Sequence, residues 1–318
     1  MLPSLFGAPS LADEDIDTES QTTLTVFVTN GTANGKTIVG DNVIVTIYEQ
    51  EKPIQTLKKK VDADGKAIFE NVPAVNNIVA LPRVKHQNME FSGRAVALKS
   101  DQMAFDAHVE VFDVSTDRSK LSVTIQHFII KPHVDSLQIT EYMQLKNSSD
   151  MALTSEEKDS DGRSIVLDIM LPKGFRNLAC SNYFLDGALV ITEHGFYDTM
   201  AIPPGQYDAI FSYILKINSE IVDITKKITL STSEFMVFSQ LSKERINGLG
   251  DASGRITLAD GGSGEYFSSQ ALKVGDQITF RIVGFNVDNS AISVWITLSV
   301  VFASIALLVI LRLCCRMN

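Results

Sequence analysis

Residues 22–30 read TTLTVFVTN, and this stretch decides the fold class. Leu24, Val26 and Val28 recur at every second position, which places three apolar side chains on one face of a β-strand. Residues 31–35 (GTANG) follow at once and are rich in turn formers. The stretch therefore predicts a half-buried strand at the start of an all-β domain.

The following residues repeat the pattern at short intervals. A tight hairpin is predicted at residues 62–65 (DADG), because Gly65 tolerates the positive φ that such a turn needs. About seven short strands in one stretch are typical of a small β-sandwich. The predicted strands after the first are residues 43–48, 54–61, 67–70, 78–81, 90–97 and 108–112.

The second half of the chain predicts another β-domain, an antiparallel sandwich over residues 118–287. Two segments interrupt it, the polar residues 148–164 and the Gly- and Ser-rich residues 239–264, and both are predicted as loops. The strands are predicted at residues 121–132, 137–147, 165–172, 201–217, 227–230 and 274–284.

Two motifs in the first domain resemble a known family. Residues 35–43 (GKTIVGDNV) and 62–73 (DADGKAIFENVP) resemble the carboxypeptidase regulatory-like domain, whose pattern is G-K-P-V-x-G-A-x-V followed by T-D-x-x-G-x-F-x-F-x-x-V-P. The resemblance implies a transthyretin-like β-sandwich over residues 21–117 and a non-catalytic accessory role. The chain departs from the pattern at Thr37, at Asp41 where the family has Ala, and after Pro73.

The C-terminal region predicts a membrane anchor. Residues 291–311 (AISVWITLSVVFASIALLVIL) contain no charge, Pro or Gly, and about twenty apolar residues suffice for one helical span. Arg312 and Arg316 follow the span, which predicts a cytoplasmic tail at 313–318 and an extracytoplasmic body. Trp295 is the predicted interfacial anchor. The second domain resembles the membrane-proximal part of bacterial single-pass proteins, so the predicted location is the bacterial inner membrane.

One face of the predicted span, residues 288–312 with its flanks, carries small side chains. Ser299, Ala303 and Ala306 recur at helical spacing, and small residues allow close approach of a partner helix. The sequence therefore predicts association with other membrane-protein subunits.

Composition excludes some function classes and leaves other questions open. The net charge of -10 argues against nucleic-acid binding, and three cysteines are too few for a disulfide framework. Cys180 is predicted to be a buried small hydrophobe, whereas modification of Cys314 and Cys315 is left open. Residues 1–20 fit either a plain leader or the remnant of a signal peptide.

No motif in the sequence supports catalysis. Residues 159–162 (DSDG) imitate the opening of a calcium loop but lack its later ligands, so a turn is predicted. Residues 250–254 (GDASG) contain a serine without a recognisable base. We therefore predict a protein that is not an enzyme, with no cofactor and no small-molecule ligand.

Three functional hypotheses remain. The first is a membrane-anchored interaction protein, an accessory subunit of a larger membrane complex. The second is copper binding or delivery, because His and Met are ligands that copper prefers; the candidate ligands are His86, Met89, Met103 and His108. The third is carbohydrate binding, which needs exposed aromatic side chains among Phe27, Tyr48, Phe69, Phe91, Phe105 and Phe112.

Overall fold

The computed structural model describes residues 21–75, 77–242, 245–257 and 263–285. The chain divides into two compact units, Met1–Asp113 and Val114–Asn318, whereas the sequence had placed the junction after residue 117. The described residues form several β-sheets, and their helices are two single 3-10 turns, Arg118–Lys120 and Asp186–Ala188. The all-β prediction is confirmed.

The described part of the chain contains no helix whose length and apolar character would suit a membrane span. The predicted span at 291–311 and the leader at 1–20 lie outside the described residues. So do the side chains assigned to that span and its flanks, namely Trp295, Ser299, Ala303, Ala306, Arg312 and Arg316.

The first unit consists of two sheets. Its strands are β1 (Gln21–Asn30), β2 (Asn42–Glu49), β3 (Lys52–Lys60), β4 (Lys66–Pro73), β5 (Ile78–His86), β6 (Met89–Ser92), β7 (Val96–Leu98) and β8 (Ala104–Val111). One sheet has the order β4-β1-β8, and the other has the order β3-β2-β5-β6 with β7 also paired to β5. β1 and β8 run parallel, and the other pairs of this unit are antiparallel.

Alternating side chains build the core of the first unit. In β1 the apolar positions recognised in the sequence, Leu24, Val26 and Val28, are at most 3% exposed. β8 alternates in the same way, with Ala107 and Val109 buried and the polar residues between them exposed. Each fully buried aliphatic side chain of this kind contributes about 1.5–3 kcal/mol, so this alternation stabilises the packing of the two sheets.

The second unit is built on a seven-stranded sheet of order β14-β17-β11-β10-β19-β22-β21. These strands are β10 (Leu121–Pro132), β11 (Ser136–Asn147), β14 (Phe175–Asn182), β17 (Gly205–Lys216), β19 (Thr232–Ser239), β21 (Gly254–Thr257) and β22 (Ser263–Leu272). The prediction of a purely antiparallel domain is wrong, because β10 and β19 are parallel neighbours.

Three smaller sheets complete the second unit. Their orders are β18-β23-β20, β13-β16-β15 and β12-β9. The strands are β9 (Val114–Ser115), β12 (Ala152–Leu153), β13 (Leu167–Met170), β15 (Leu189–Thr192), β16 (Gly195–Asp198), β18 (Ile221–Lys227), β20 (Ile246–Asn247) and β23 (Gln277–Val283). The strand predicted at 227–230 is wrong, since β18 ends where that prediction begins, and the loop predicted at 239–264 contains β20 and β21.

One hydrophobic cluster joins the large sheet to the smaller ones. Phe128 of β10 meets Phe280 of β23 edge to face, with ring centroids 5.8 Å apart. Phe211 of β17 meets Phe196 of β16 in the same manner at 5.1 Å. These contacts place the β18-β23-β20 and β13-β16-β15 sheets against one face of the seven-stranded sheet.

Candidate functional site

The candidate copper ligands occupy different environments in the first unit. His86, the last residue of β5, is 2% exposed and pairs across the turn with Met89 of β6. His108 stacks on Phe27 with ring centroids 5.1 Å apart, and Met103 is 83% exposed. Among the described residues, no three His, Cys, Asp or Glu side chains are arranged to hold a metal ion. Copper binding stays a prediction that no contact in this part of the chain supports.

His86 instead lies between two carboxylates. Its Nδ1 is 2.6 Å from Oδ2 of Asp41, and its Nε2 is 3.0 Å from Oδ1 of Asp113. The protonated ring can donate one hydrogen bond to each of these carboxylates. Both ring nitrogens of His86 therefore already have carboxylate partners, and Gln87 Nε2 also lies 3.1 Å from Nε2.

Asp113 ties this histidine to the loop at residues 31–36. Its carboxylate accepts hydrogen bonds from the Lys36 backbone N–H at 3.1 Å and from Asn30 Nδ2 at 2.8 Å. Burial alone raises the pKa of Asp113, but the hydrogen bonds from His86, Asn30 and Lys36 outweigh it and hold the pKa below its ordinary value. The cluster of His86, Asp41, Asp113, Asn30 and Lys36 therefore fixes the end of the first unit.

Sequence reasoning missed the role of Asp41 in this cluster. Asp41 had been noted only as a departure from the family pattern, which has Ala at that position. The structure shows that this departure supplies one of the two carboxylates that hold His86. The only signal in the sequence was the departure from the family pattern itself, because His86 lies 45 positions away along the chain.

The second unit contains a buried polar cluster inside its hydrophobic core. Glu141 of β11 is fully buried, and its Oε2 lies 2.6 Å from Nζ of Lys226 on β18. Gln126 of β10 donates from Nε2 to the same oxygen at 3.3 Å. Tyr213 of β17 donates to the other oxygen, Oε1, at 3.2 Å. We call these four residues the Glu141 cluster.

An aromatic ring and a small cavity adjoin the Glu141 cluster. Nζ of Lys226 lies 5.6 Å from the centre of the Phe211 ring, which adds a cation–π contact. Burial, followed by the proximity of Glu141, raises the pKa of Tyr213 well above its ordinary value. A cavity of about 20 Å³ adjoins the cluster, and Gln126 and Lys226 are among its lining residues. That volume accommodates one water-sized molecule.

A β-bulge explains why the sequence did not reveal this cluster. The register of β10 against β11 shifts between Val123 and Ile125, so the buried positions continue at Gln126 rather than at Ile125. Lys226 lies on β18, just before the strand predicted at 227–230, so the sequence predicted no buried side chain there. A strict period of two therefore places Gln126 on the wrong face.

The structure also shows how exposed the candidate carbohydrate-binding residues and Cys180 are, and what the segment at 159–162 forms. Of the six aromatic residues considered for carbohydrate binding, Phe69, Phe91 and Phe105 are buried, and Phe27, Tyr48 and Phe112 are half-buried. Cys180 lies on the edge strand β14 and is half-buried against the core, whereas full burial had been predicted. The segment DSDG at 159–162 forms a turn, as the sequence predicted.

Strand β3 is an edge strand of the first unit. It pairs with β2 and occupies the end of its sheet in the described structure. Every residue of β3 is exposed except Leu57, which is half-buried. An edge strand presents a row of backbone N–H and C=O groups that can pair with another strand. We call this row the β3 edge.

The side chains of the β3 edge are strongly basic. The strand KPIQTLKKK contains Lys52, Lys58, Lys59 and Lys60 and no carboxylate. Ile54 is 48% exposed and adds an apolar contact point. Lys59 Nζ lies 6.0 Å from the centre of the Phe69 ring, so its side chain also covers the margin of the core.

Comparison with known proteins does not assign the chain to a family. No family model matches it, and no curated protein matches it. Among solved structures, the full-length major pilin SpaD from Corynebacterium diphtheriae aligns with 85% of this chain and 82% of that chain, at 10% sequence identity and a TM-score of 0.23. A likeness at this level carries no conclusion about this protein.

Proposed function

We propose that this protein is a non-catalytic, membrane-anchored interaction protein, an accessory subunit whose β-domains lie on the extracytoplasmic side. The observation that carries the proposal is the β3 edge, a nine-residue exposed strand at the end of its sheet. Extended segments of other proteins bind such edges by adding a strand. The residues 291–311 supply the anchor in this proposal.

The positive charge of the β3 edge indicates which kind of segment would bind to it. The strand has four lysines, although the chain as a whole has a net charge of -10. Two copies of β3 would repel each other, since like charges on paired strands are destabilising. An extended acidic segment of a different subunit would be attracted, and the β3 edge is therefore its docking site.

The finer fold assignment belongs to the same proposal. A carboxypeptidase regulatory-like domain over residues 21–117 is supported by two glycines of its motifs. Gly40 has φ of +90° and Gly65 has φ of +76°, a region of backbone conformation that favours glycine. Both motif positions therefore favour the residue that the family pattern places there.

A photo-crosslinking experiment tests this proposal. A photoreactive residue at Gln55, in the middle of β3, is compared with one at Arg255 on the edge strand β21 of the second unit. In mildly solubilised membranes we expect one subunit to be captured at fixed stoichiometry from position 55 and not from position 255. The variant Lys58→Glu/Lys60→Glu should weaken the capture by up to about thirtyfold, since each reversed charge removes up to about 1 kcal/mol of attraction.

The matched control is Lys146→Glu/Lys216→Glu, which reverses two exposed lysines of the second unit. It changes the net charge equally and should leave capture from position 55 unchanged. Capture that resists charge reversal on β3, or that is equal at both positions, would contradict docking at the β3 edge. Raised salt should weaken the specific capture.

A further inference from the structure

The Glu141 cluster brings together an amine, a carboxamide and a carboxyl group inside the core. Glu141 Oε2 contacts both Lys226 Nζ at 2.6 Å and Gln126 Nε2 at 3.3 Å. Gln126 is 4% exposed, Glu141 is 0% exposed and Lys226 is 7% exposed. One oxygen atom therefore contacts both a buried amine and a buried amide inside the core.

We propose that the Glu141 cluster forms a covalent amide bond between Lys226 Nζ and Gln126 Cδ. A lysine becomes a nucleophile once a neighbouring base has taken a proton from its ammonium group. Glu141 is placed to take the proton from the ammonium group, because it already accepts its hydrogen bond. It is placed equally to return a proton to the amide nitrogen of Gln126.

The atoms and protons of this step balance. Lys226 transfers one proton to Glu141, and the neutral Nζ attacks the side-chain carbonyl carbon of Gln126. Glu141 gives the first proton to the nitrogen of the carboxamide, the C–N bond of the carboxamide breaks, and that nitrogen leaves as ammonia. The carboxylate of Glu141 then takes the second proton from Nζ, which leaves a neutral amide and a protonated Glu141. No oxidant, metal or co-reactant is required.

The residues around the cluster leave space for the departing ammonia and hold the carboxyl group of Glu141 in position. The cavity of about 20 Å³ lined by Gln126 and Lys226 accommodates a molecule of the size of ammonia. Tyr213 donates to Oε1 of Glu141, which fixes the carboxyl group and leaves Oε2 for the two reacting groups. Glu141 is thus the proton-transfer residue of the reaction, and Tyr213 is a positioning residue.

The amide bond would link two different sheets of the second unit. Gln126 lies on β10 of the seven-stranded sheet, and Lys226 lies on β18 of a separate three-stranded sheet. An amide between them would join two packed sheets, in a chain whose described residues contain one cysteine and therefore no disulfide among themselves. This inference is independent of the β3 edge and of membrane anchoring.

Mass spectrometry of the full-length protein tests the inference directly. After denaturation and proteolysis, we expect one linked pair of peptides, carrying Gln126 and Lys226, whose mass is that of the two peptides less one ammonia. Unlinked forms of both peptides should be minor. Recovery of both peptides in unlinked form from the folded wild-type protein would overturn the proposal and leave an ordinary buried ion pair.

Variants assign the roles within the cluster. In Lys226→Met and in Gln126→Met the linked pair should disappear. Glu141→Gln should also abolish it while leaving both reacting residues in place, and a bond that still forms fully in that variant would overturn the role of Glu141. Tyr213→Phe should slow bond formation by about tenfold or more after refolding, because it removes one hydrogen bond to the carboxyl group. The wild-type measurement decides the main point even if a variant fails to fold.

Discussion

At the scale of single residues, the hairpin joining β2 to β3 departs from the turn chemistry that it needs. Gln50 and Glu51 connect the paired residues Glu49 and Lys52, with φ of 46° and 69°. Two consecutive positive φ values define a type I′ turn, for which Asn-Gly is strongly preferred. Each non-glycine residue in this region costs about 1–2 kcal/mol.

We therefore expect the replacement Gln50→Asn/Glu51→Gly to stabilise the hairpin that presents the β3 edge. The expected gain is about 1 kcal/mol, since Asn tolerates the left-handed region and Gly has no Cβ. Hydrogen exchange of the β2 and β3 amides measures it. Thr56→Gly, in the extended middle of β3, is the control and should accelerate exchange; faster exchange in the Asn-Gly variant would show that the turn is not strained.

The residues of the candidate sites illustrate what the sequence could predict. His86 was recognised as a residue of interest, but its partners Asp41 and Asp113 lie 45 and 27 positions away. Gln126 reaches Glu141 because a bulge in β10 turns it toward the core. Lys226 reaches Glu141 because of the direction in which its side chain points from β18, a strand of another sheet. Such contacts are set by tertiary packing, and local patterns carry little information about them.

At the scale of elements, both units use the same hairpin loop. Asp62 and Asp159 each open a D-x-D-G turn, and each accepts hydrogen bonds through Oδ1 from the backbone N–H groups two and four residues later. Gly65 and Gly162 close the two turns with φ of +76° and +79°. The D-x-D-G pattern is sufficient to specify this turn, and it predicts a turn at both places.

Gly65 and Gly162 have nearly the same backbone conformation but differ in how closely other atoms surround them. A Cβ at Gly65 would lie 3.1 Å from the Val28 carbonyl oxygen, whereas a Cβ at Gly162 would meet nothing within 4 Å. Both Gly→Ala variants carry the cost of positive φ, about 1 kcal/mol. We expect Gly65→Ala to cost about 1 kcal/mol more, since a crowded backbone contact must shift.

Denaturant titration of each variant checks this difference. Equal losses would show that the Val28 contact relaxes without cost. A larger loss for Gly162→Ala would contradict the assignment of the contact altogether.

Elements with clean alternation were predictable, and elements without it were not. The strand predicted at 121–132 coincides with β10, because its apolar residues dominate despite the bulge. β22 (SGEYFSSQAL) was missed, since polar residues occupy most of its positions. Its place in the sheet comes from pairing with β19, not from its own pattern. Propensity in strands depends on neighbours more than on the strand itself.

At the scale of the whole molecule, the pH dependence of stability combines two opposed groups in the second unit. Burial raises the pKa of Asp198 to about 6, although the Met200 N–H donates to its carboxylate at 2.6 Å. Burial lowers the pKa of His127 to about 4. The rings of Tyr142 and Phe238, with centroids 5.4 and 5.0 Å away, pack against that imidazole.

The two groups change stability in opposite directions over nearly the same range. Asp198 binds its proton more tightly in the folded state, so the fold gains stability as the pH falls from about 6 toward 3.8. His127 binds its proton more tightly in the unfolded state, so the fold loses stability as the pH falls from 6.5 toward about 4. Each effect amounts to about 2–3 kcal/mol over its full range.

Because these contributions offset each other, single substitutions should expose them. Asp198→Asn should lose stability on acidification from pH 6.5 to 4, whereas His127→Phe should gain it, each by about 2 kcal/mol relative to wild type. The exposed His194→Gln serves as control and should follow the wild-type profile. Hydrogen exchange of the β11 and β17 amides at a series of pH values measures the free energy of opening in this unit. If Asp198→Asn and His127→Phe shift the profile in the same direction, the opposed titration of two buried groups is excluded, and the pH response belongs to the surface charges instead.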